Sequence, residues 1–241
     1  MRLYHGTSSR HLESILENGL LPRGDGASNW SAASSAERVY FTDAYALYFA
    51  QSSRKETSED LVIVEINTDL LPDRARLQAD EDAAWFIWRS GEMAHKFHPP
   101  TGMTDKHEQG MHFSTLLENL SECGLGHGRS LALLGNCSHK GSIPPSAITG
   151  MLRYSVADGP WWLAFHDPSI SPMNYRFNGA EYRATQLVVA GRLDEARQVE
   201  QVIPGFLDLD FVEEICASRR TEIPLPPWNM QSSGEGAGRA A

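Results

Sequence analysis

Three side chains in this sequence have the chemical types that handle a charged substrate: His5, Tyr40 and Glu181. They lie in short segments that are distant from one another along the chain, LYHGT, VYFTD and AEY. A carboxylate stabilises positive charge that develops during a reaction. An aromatic face holds a flat cation by stacking and cation–π attraction, and an imidazole exchanges hydrogen bonds near neutral pH.

Each of these residues, taken alone, has an ordinary structural explanation. His5 ends a predicted strand, where a hydrogen-bonded histidine needs no further role. Tyr40 lies in an alternating strand, which favours core or cross-strand packing. Glu181 is followed by Tyr182 and Arg183, and an exposed carboxylate in a salt bridge is the usual outcome there. Only the combination of the three segments, in this order, favours a functional site.

The first two segments are each predicted to be a strand that leads into a helix. Residues 1–5 and 38–42 have the pattern of short β-strands. A serine after the first strand is expected to cap the first helix, and Gly19 is expected to end it. Asp43 is expected to cap the second helix. His5 and Tyr40 would therefore each lie on a strand, close to the start of a helix.

The rest of the chain is predicted to be a mixture of short strands and helices in one α+β domain over residues 1–230. Apolar runs between turn-forming residues predict further strands at 61–66, 131–134, 148–156 and 186–190. Residues 211–217 are predicted to form the last helix. An insertion is expected at about 80–128, with a helix at 83–90, and the tail at 231–241 is expected to be disordered.

The order of these segments resembles the ADP-ribosyltransferase superfamily of the diphtheria-toxin and poly(ADP-ribose) polymerase type. That family carries a His–Tyr–Glu triad on three separate strands. HGT at 5–7 is similar to its first motif, and VYFTD at 39–43, followed by a helix with Ala and Tyr, is similar to its second. EY at 181–182, ahead of the strand predicted at 186–190, is similar to its third. The resemblance covers roughly residues 1–67 and 131–191.

This resemblance implies a fold, an activity and a co-substrate. The fold would be α+β, with split antiparallel β-sheets and short flanking helices. The activity would be that of a mono-ADP-ribosyltransferase, which splits the nicotinamide–ribose bond of NAD and transfers ADP-ribose to a macromolecular acceptor. That acceptor is a protein, DNA or RNA, and the loop at 168–178 would help to select it. The resemblance also leaves room for an inhibitory partner protein.

The same resemblance implies roles for individual residues. As catalytic residues, Glu181 would stabilise the oxocarbenium-like ribose, Tyr40 would hold the nicotinamide ring and His5 would bond a ribose hydroxyl. Further NAD contacts would come from the Gly6 backbone, from the hydroxyls of Thr7 and Ser8, and from the ring of Tyr48. For the pyrophosphate the candidates are Arg10 and Arg23, although a solvated arginine explains each of them equally well.

Composition limits the other classes of function. The 241 residues include 21 Lys and Arg against 31 Asp and Glu, a formal net charge of −10, which supplies no overall basic face for duplex DNA. No apolar run approaches the ~20 residues of a membrane span, and the N-terminus lacks the apolar run of a signal peptide. A cytoplasmic protein with no membrane association is therefore expected. The histidine spacings match no zinc pattern, so no metal is expected.

Two other functions remain open at this point. An NAD glycohydrolase would use the same site with water as the acceptor. A non-catalytic module of the same fold would bind NAD, ADP-ribose or a partner protein without breaking a bond. An RNA 2′-phosphotransferase of the same fold is not favoured, because it needs a set of arginines around the phosphate, and the sequence lacks a matching set.

Overall fold

The structure is a computed structural model that describes residues 1–24, 34–83, 102, 126–164, 179–200 and 208–228. The predicted helix at 83–90, apart from its first residue, lies outside these residues, as do most of the insertion, the loop at 168–178 and the tail at 231–241. In the described part, the strands are Arg2–Ser8 (β1), Arg38–Thr42 (β2), Leu61–Asn67 (β3), Leu77–Ala79 (β4), Asn136–Lys140 (β5), Ile148–Tyr154 (β6) and Arg220–Glu222 (β7).

Six α-helices with bounds inside the described ranges accompany these strands, and residues 81–83 are helical as well. The six are Leu12–Asn18 (α1), Ala46–Ser53 (α2), His127–Leu134 (α3), Gly179–Val189 (α4), Leu193–Glu200 (α5) and Leu209–Ala217 (α6). No helix within these ranges is both long and apolar enough to cross a membrane.

The seven strands form one antiparallel sheet in the order β4-β5-β2-β1-β3-β6-β7. β1 pairs with β3 over seven residue pairs, and β2 pairs with β5 over five. β1 and β2, by contrast, are paired at one register position, Tyr4 opposite Thr42. The prediction of an α+β fold with antiparallel pairing is confirmed. The described strands make a single sheet whose narrowest link lies at its centre, rather than separate sheets.

Both faces of the sheet are covered by apolar side chains. β3 is buried along almost its whole length, as its uninterrupted apolar run predicts. Leu61 and Ile63 belong to the core beneath α2, α4 and α6, and Val62 and Val64 to the core beneath α1. The sheet centre is therefore sealed from water around β1 and β3, which holds the site residues on β1 in place.

Two predicted strands are wrong, because they form helices. Residues 131–134 end α3, in which Leu131 and Leu134 are buried three residues apart, and Gly135 ends the helix with φ 70°. Residues 186–190 fall mainly in α4, in which Tyr182, Gln186 and Val189 are buried at helical spacing. Short apolar runs fit strands and buried helix segments equally well, and here the packing partners decide.

The predicted cap of α2 at Asp43 is wrong, because the helix begins at Ala46 and the residue at its N-cap position is Tyr45, which makes no side-chain cap hydrogen bond. Thr42 stabilises the turn that precedes the helix. The Thr42 hydroxyl accepts hydrogen bonds from the backbone N–H groups of Ala44 and Tyr45, both at 2.9 Å. Asp43 instead pairs with Arg183 on α4. The predicted end of α1 at Gly19 is confirmed, with φ 74°.

Candidate functional site

His5 joins β1 to β2 at the point where the two strands diverge. Its Nδ1 lies 2.9 Å from the carbonyl oxygen of Tyr40. Because a carbonyl oxygen only accepts hydrogen bonds, Nδ1 carries the proton. Burial lowers the pKa of His5, an effect larger than the opposite effect of the Tyr40 hydrogen bond. The ring is therefore neutral at pH 7, and Nε2 can accept a hydrogen bond.

The side chain of Tyr40 ends at a buried carboxylate. Its hydroxyl donates a 2.6 Å hydrogen bond to Oε1 of Glu81 and accepts one of 2.8 Å from the backbone N–H of Ser35. Burial, followed by the charge of Glu81, raises the pKa of Tyr40, so that the hydroxyl stays protonated and acts as a donor. Glu81 is 7% exposed, and its Oε2 has no hydrogen-bond partner in the described chain.

Glu81 is the middle member of an acidic triplet at the end of β4. Burial raises the pKa of all three carboxyls, and burial with the charge of Glu81 raises the pKa of Asp82 to about 7. The backbone N–H of Asp80 donates to the hydroxyl of Ser130 on α3, at 2.9 Å. The pairing of β4 with β5, and of β5 with β2, brings this triplet beside Tyr40. The charge of the cluster therefore changes near neutral pH.

Arg38 precedes Tyr40 by two residues, so their side chains leave β2 on the same face. It is 5% exposed. Its Nη1 donates to Oε1 of Gln78 at 2.5 Å and to the hydroxyl of Ser138 at 3.3 Å. Ser138 is the register partner of both Tyr40 and Gln78. A cation and a hydrogen-bonded tyrosine–carboxylate pair therefore share one sheet face.

The predicted NAD contacts on β1 have structural partners of their own. A Cβ at Gly6 would lie inside van der Waals contact of the Ala46 carbonyl oxygen and 2.6 Å from the Ala50 nitrogen. Gly6 therefore lets α2 pack directly on β1. Thr7 is buried, as is Ser8, whose hydroxyl donates to the Glu59 carboxylate. Their contact with NAD stays a prediction.

Glu181 lies in the first turn of α4. The strand expected to begin beside it is wrong, and α4 is anchored to the other end of β2 and to α2. Arg183 Nε lies 2.6 Å from the Asp43 carboxylate, and the side-chain oxygen of Gln186 accepts from the Ala46 N–H at 2.9 Å. The Tyr182 ring contacts that of Tyr45 at 5.0 Å. The role of Glu181 stays a prediction.

Tyr48 lies on α2 and packs against the same cluster of aromatic rings as Tyr182. Its ring centroid is 5.6 Å from that of Phe49. The predicted residues thus fall into two groups: His5 and Tyr40 meet at the β1–β2 junction, and Tyr48 and Glu181 lie around the α2–α4 contact.

Two members of the candidate site, Glu81 and Arg38, were missed by the sequence analysis. The signal for Glu81 was the run of three consecutive acids at 80–82. The signal for Arg38 was its position two residues before Tyr40 in a predicted strand. Neither signal identifies a site without the pairing of β4, β5 and β2.

No family model, curated protein or solved structure matches this chain.

Proposed function

We propose that the protein is an NAD-dependent mono-ADP-ribosyltransferase. The single observation that carries the proposal is a pair of hydrogen bonds at the junction of β1 and β2. His5 donates to the backbone carbonyl of Tyr40, and the side-chain hydroxyl of Tyr40 donates to Glu81. This pair places an imidazole, an aromatic ring and a carboxylate in one neighbourhood, and these are the groups that binding and cleaving a nicotinamide riboside would use.

Two of these residues would bind the co-substrate. The neutral imidazole of His5 offers Nε2 as an acceptor for a ribose hydroxyl, because Nδ1–H is already used on the Tyr40 carbonyl. The ring of Tyr40, held at its hydroxyl by Glu81 and Ser35, offers a face to the cationic nicotinamide. A ring fixed at both ends loses little freedom when a ligand stacks on it.

In the reaction, the bond between the nicotinamide nitrogen and ribose C1′ breaks, and its electron pair goes to the ring, which leaves as neutral nicotinamide. Positive charge then grows on C1′ and the ring oxygen. A nearby carboxylate stabilises this charge. The acceptor nucleophile bonds to C1′ and gives up its proton to that carboxylate or to solvent.

Two glutamates are candidates for this carboxylate. Glu181 is the one that the sequence resemblance indicates. Glu81 is the one that hydrogen-bonds to Tyr40, and its Oε2 lacks a partner in the described residues. Matched substitutions, Glu81→Gln and Glu181→Gln, keep the size of each side chain and remove its charge. Glu37→Gln, at a residue with a 76% exposed side chain, is the control.

The test follows the release of nicotinamide from labelled NAD, with protein, DNA and RNA each offered as acceptor. We expect release that falls by about 100-fold or more in one of the two variants and persists in the control. Label on a macromolecule would identify the acceptor class. Free ADP-ribose as the only product would show a glycohydrolase instead. Binding of NAD without any release would overturn the proposed transfer and leave a binding module.

A further inference from the structure

Arg38 is a buried cation whose hydrogen bonds in the described chain go to neutral groups. It is 5% exposed, and its two hydrogen bonds go to an amide oxygen and a hydroxyl, on Gln78 and Ser138. No carboxylate of the described residues lies within 4.0 Å of its guanidinium, whereas Arg192 lies 2.6 Å from Glu65 and Arg220 lies 2.7 Å from Glu213. A buried charge without an opposite charge in contact is costly, so this position favours an anionic ligand.

The guanidinium also has donors to spare. Both hydrogen bonds use Nη1, and Nε and Nη2 have no hydrogen-bond partner in the described chain. A planar guanidinium with two free N–H groups fits the paired oxygens of a phosphate. Arg10, one of the arginines that the sequence singled out for this role, is already matched by Glu59 at 3.7 Å.

The position of Arg38 relative to Tyr40 suits one kind of anion. Two residues along a strand advance by about 6.6 Å, and both side chains leave the same face of β2. A single ribose separates the cationic nicotinamide from the nearer phosphate in NAD. The charge of Arg38 lowers the pKa values of Asp80 and Glu81, but burial raises both by more, so these carboxyls compensate Arg38 only in part.

We propose that Arg38 binds the pyrophosphate of NAD while Tyr40 holds the nicotinamide end, an inference that rests on the proposed function. The two residues then bind the two ends of one nicotinamide mononucleotide unit. Arg38 thereby distinguishes a phosphorylated ligand from the bare riboside.

Calorimetry with two ligands tests this pairing. NAD carries the pyrophosphate, and nicotinamide riboside keeps the cationic ring and the ribose without it. Arg38→Gln keeps an N–H donor for Gln78 and Ser138 but removes the charge, and we expect it to weaken NAD binding by about tenfold or more while riboside binding stays within about twofold. Arg74→Gln, at an exposed residue paired with Asp69, should change neither.

Two outcomes would overturn the proposal. In the first, Arg38→Gln binds NAD as tightly as the wild type does. In the second, Arg38→Gln loses affinity for NAD and for the riboside by the same factor. Circular dichroism checks that the variant folds. If Arg38→Gln does not fold, Arg38→Lys is tested instead, because lysine keeps the charge and lacks the planar guanidinium. We then expect the affinity for NAD, but not that for the riboside, to fall by about threefold.

Failure of the proposed function has a different signature. If the wild type binds no NAD, inorganic pyrophosphate is titrated instead. Binding that Arg38→Gln abolishes would retain the anion site and reject the NAD reaction. No pyrophosphate binding by the wild type would reject both.

Discussion

Tyr40 donates its hydroxyl hydrogen to the buried carboxylate of Glu81 across 2.6 Å, although the two residues are 41 positions apart in the sequence. The contact exists because β4 and β2 flank β5 on its two sides. It supplies a tyrosine of fixed orientation and a carboxylate that lies beside it, and it is the central feature of the candidate site.

Removing the hydroxyl of Tyr40 should separate stability from ligand binding. Tyr40→Phe keeps the ring but leaves the buried Glu81 carboxylate without this donor, and we expect a loss of about 1–3 kcal/mol in the free energy of unfolding. NAD affinity should stay within a few-fold, because the ring face remains. Tyr40→Ala should weaken NAD binding by about tenfold or more. Urea denaturation and calorimetry measure the two effects, and equal NAD affinities for the two variants would contradict the stacking role.

Substitution of Gly6 should disturb the packing of α2 on β1. An added Cβ would press on the carbonyl of Ala46, so Gly6→Ala should lower the free energy of unfolding by about 2–4 kcal/mol. Gly128 lies in α3, and no described residue outside that helix has an atom within 4 Å of an added Cβ, so Gly128→Ala should be neutral or stabilising by up to about 1 kcal/mol. Chemical denaturation of both variants checks this, and equal effects would contradict the close approach of α2.

The Asp82 carboxyl should contribute a loss of stability as the pH rises towards 7, opposite in direction to the buried histidines, whose pKa values burial lowers. Burial and Glu81 raise the pKa of Asp82 from 3.8 to about 7, so the folded state holds a proton that the unfolded state releases near pH 4. Between those two values this carboxyl binds more protons in the folded protein, and its contribution to the free energy of unfolding therefore decreases with increasing pH. Asp80 and Glu81 act in the same direction, because burial raises their pKa values too.

Urea denaturation between pH 5 and pH 8 measures this dependence, with Asp82→Asn as the test variant. We expect the stability of the variant, relative to the wild type, to rise from pH 5 to pH 8, since the amide never ionises and the contribution of Asp82 to the slope is removed. Asp194→Asn, at a 96% exposed side chain, should leave the slope unchanged. A slope that is the same in Asp82→Asn and in the wild type would show that Asp82 has an ordinary pKa.

The ion pair between Arg183 and Asp43 should hold α4 against the end of β2. Its 2.6 Å contact is partly shielded, with side-chain exposures of 34% and 22%. Arg183→Gln leaves the Asp43 carboxyl, whose pKa burial already raises, without its cation. We expect a loss of about 1–3 kcal/mol in the free energy of unfolding. The double variant with Asp43→Asn should recover part of it, and additive losses in this cycle would contradict a direct pairing.

The sequence by itself determined the elements whose apolar pattern fits only one type of secondary structure. β2 at 38–42 was predicted with the bounds that the structure has, and β1, β3, α1 and α2 were predicted at their positions. In these segments the apolar pattern agrees with the tertiary environment, and so does Gly19 at the end of α1, whereas the predicted cap residues of α1 and α2 do not. His5 and Tyr40 could be singled out for the same reason, because each lies in a recognisable strand that a helix follows, although β1 continues to Ser8, beyond the predicted end at residue 5.

Only the tertiary structure decided the identity of the segments at 131–134 and 186–190, and the partner of Tyr40. The two apolar runs are too short for their period to distinguish a strand from a helix. The helix forms because it buries the apolar side chains against the surfaces that they pack on. Glu81 meets Tyr40 through the order and register of three strands, β4, β5 and β2, which are far apart in the chain. Pairing between distant strands depends on which faces can be buried together, and no local pattern in the sequence encodes it.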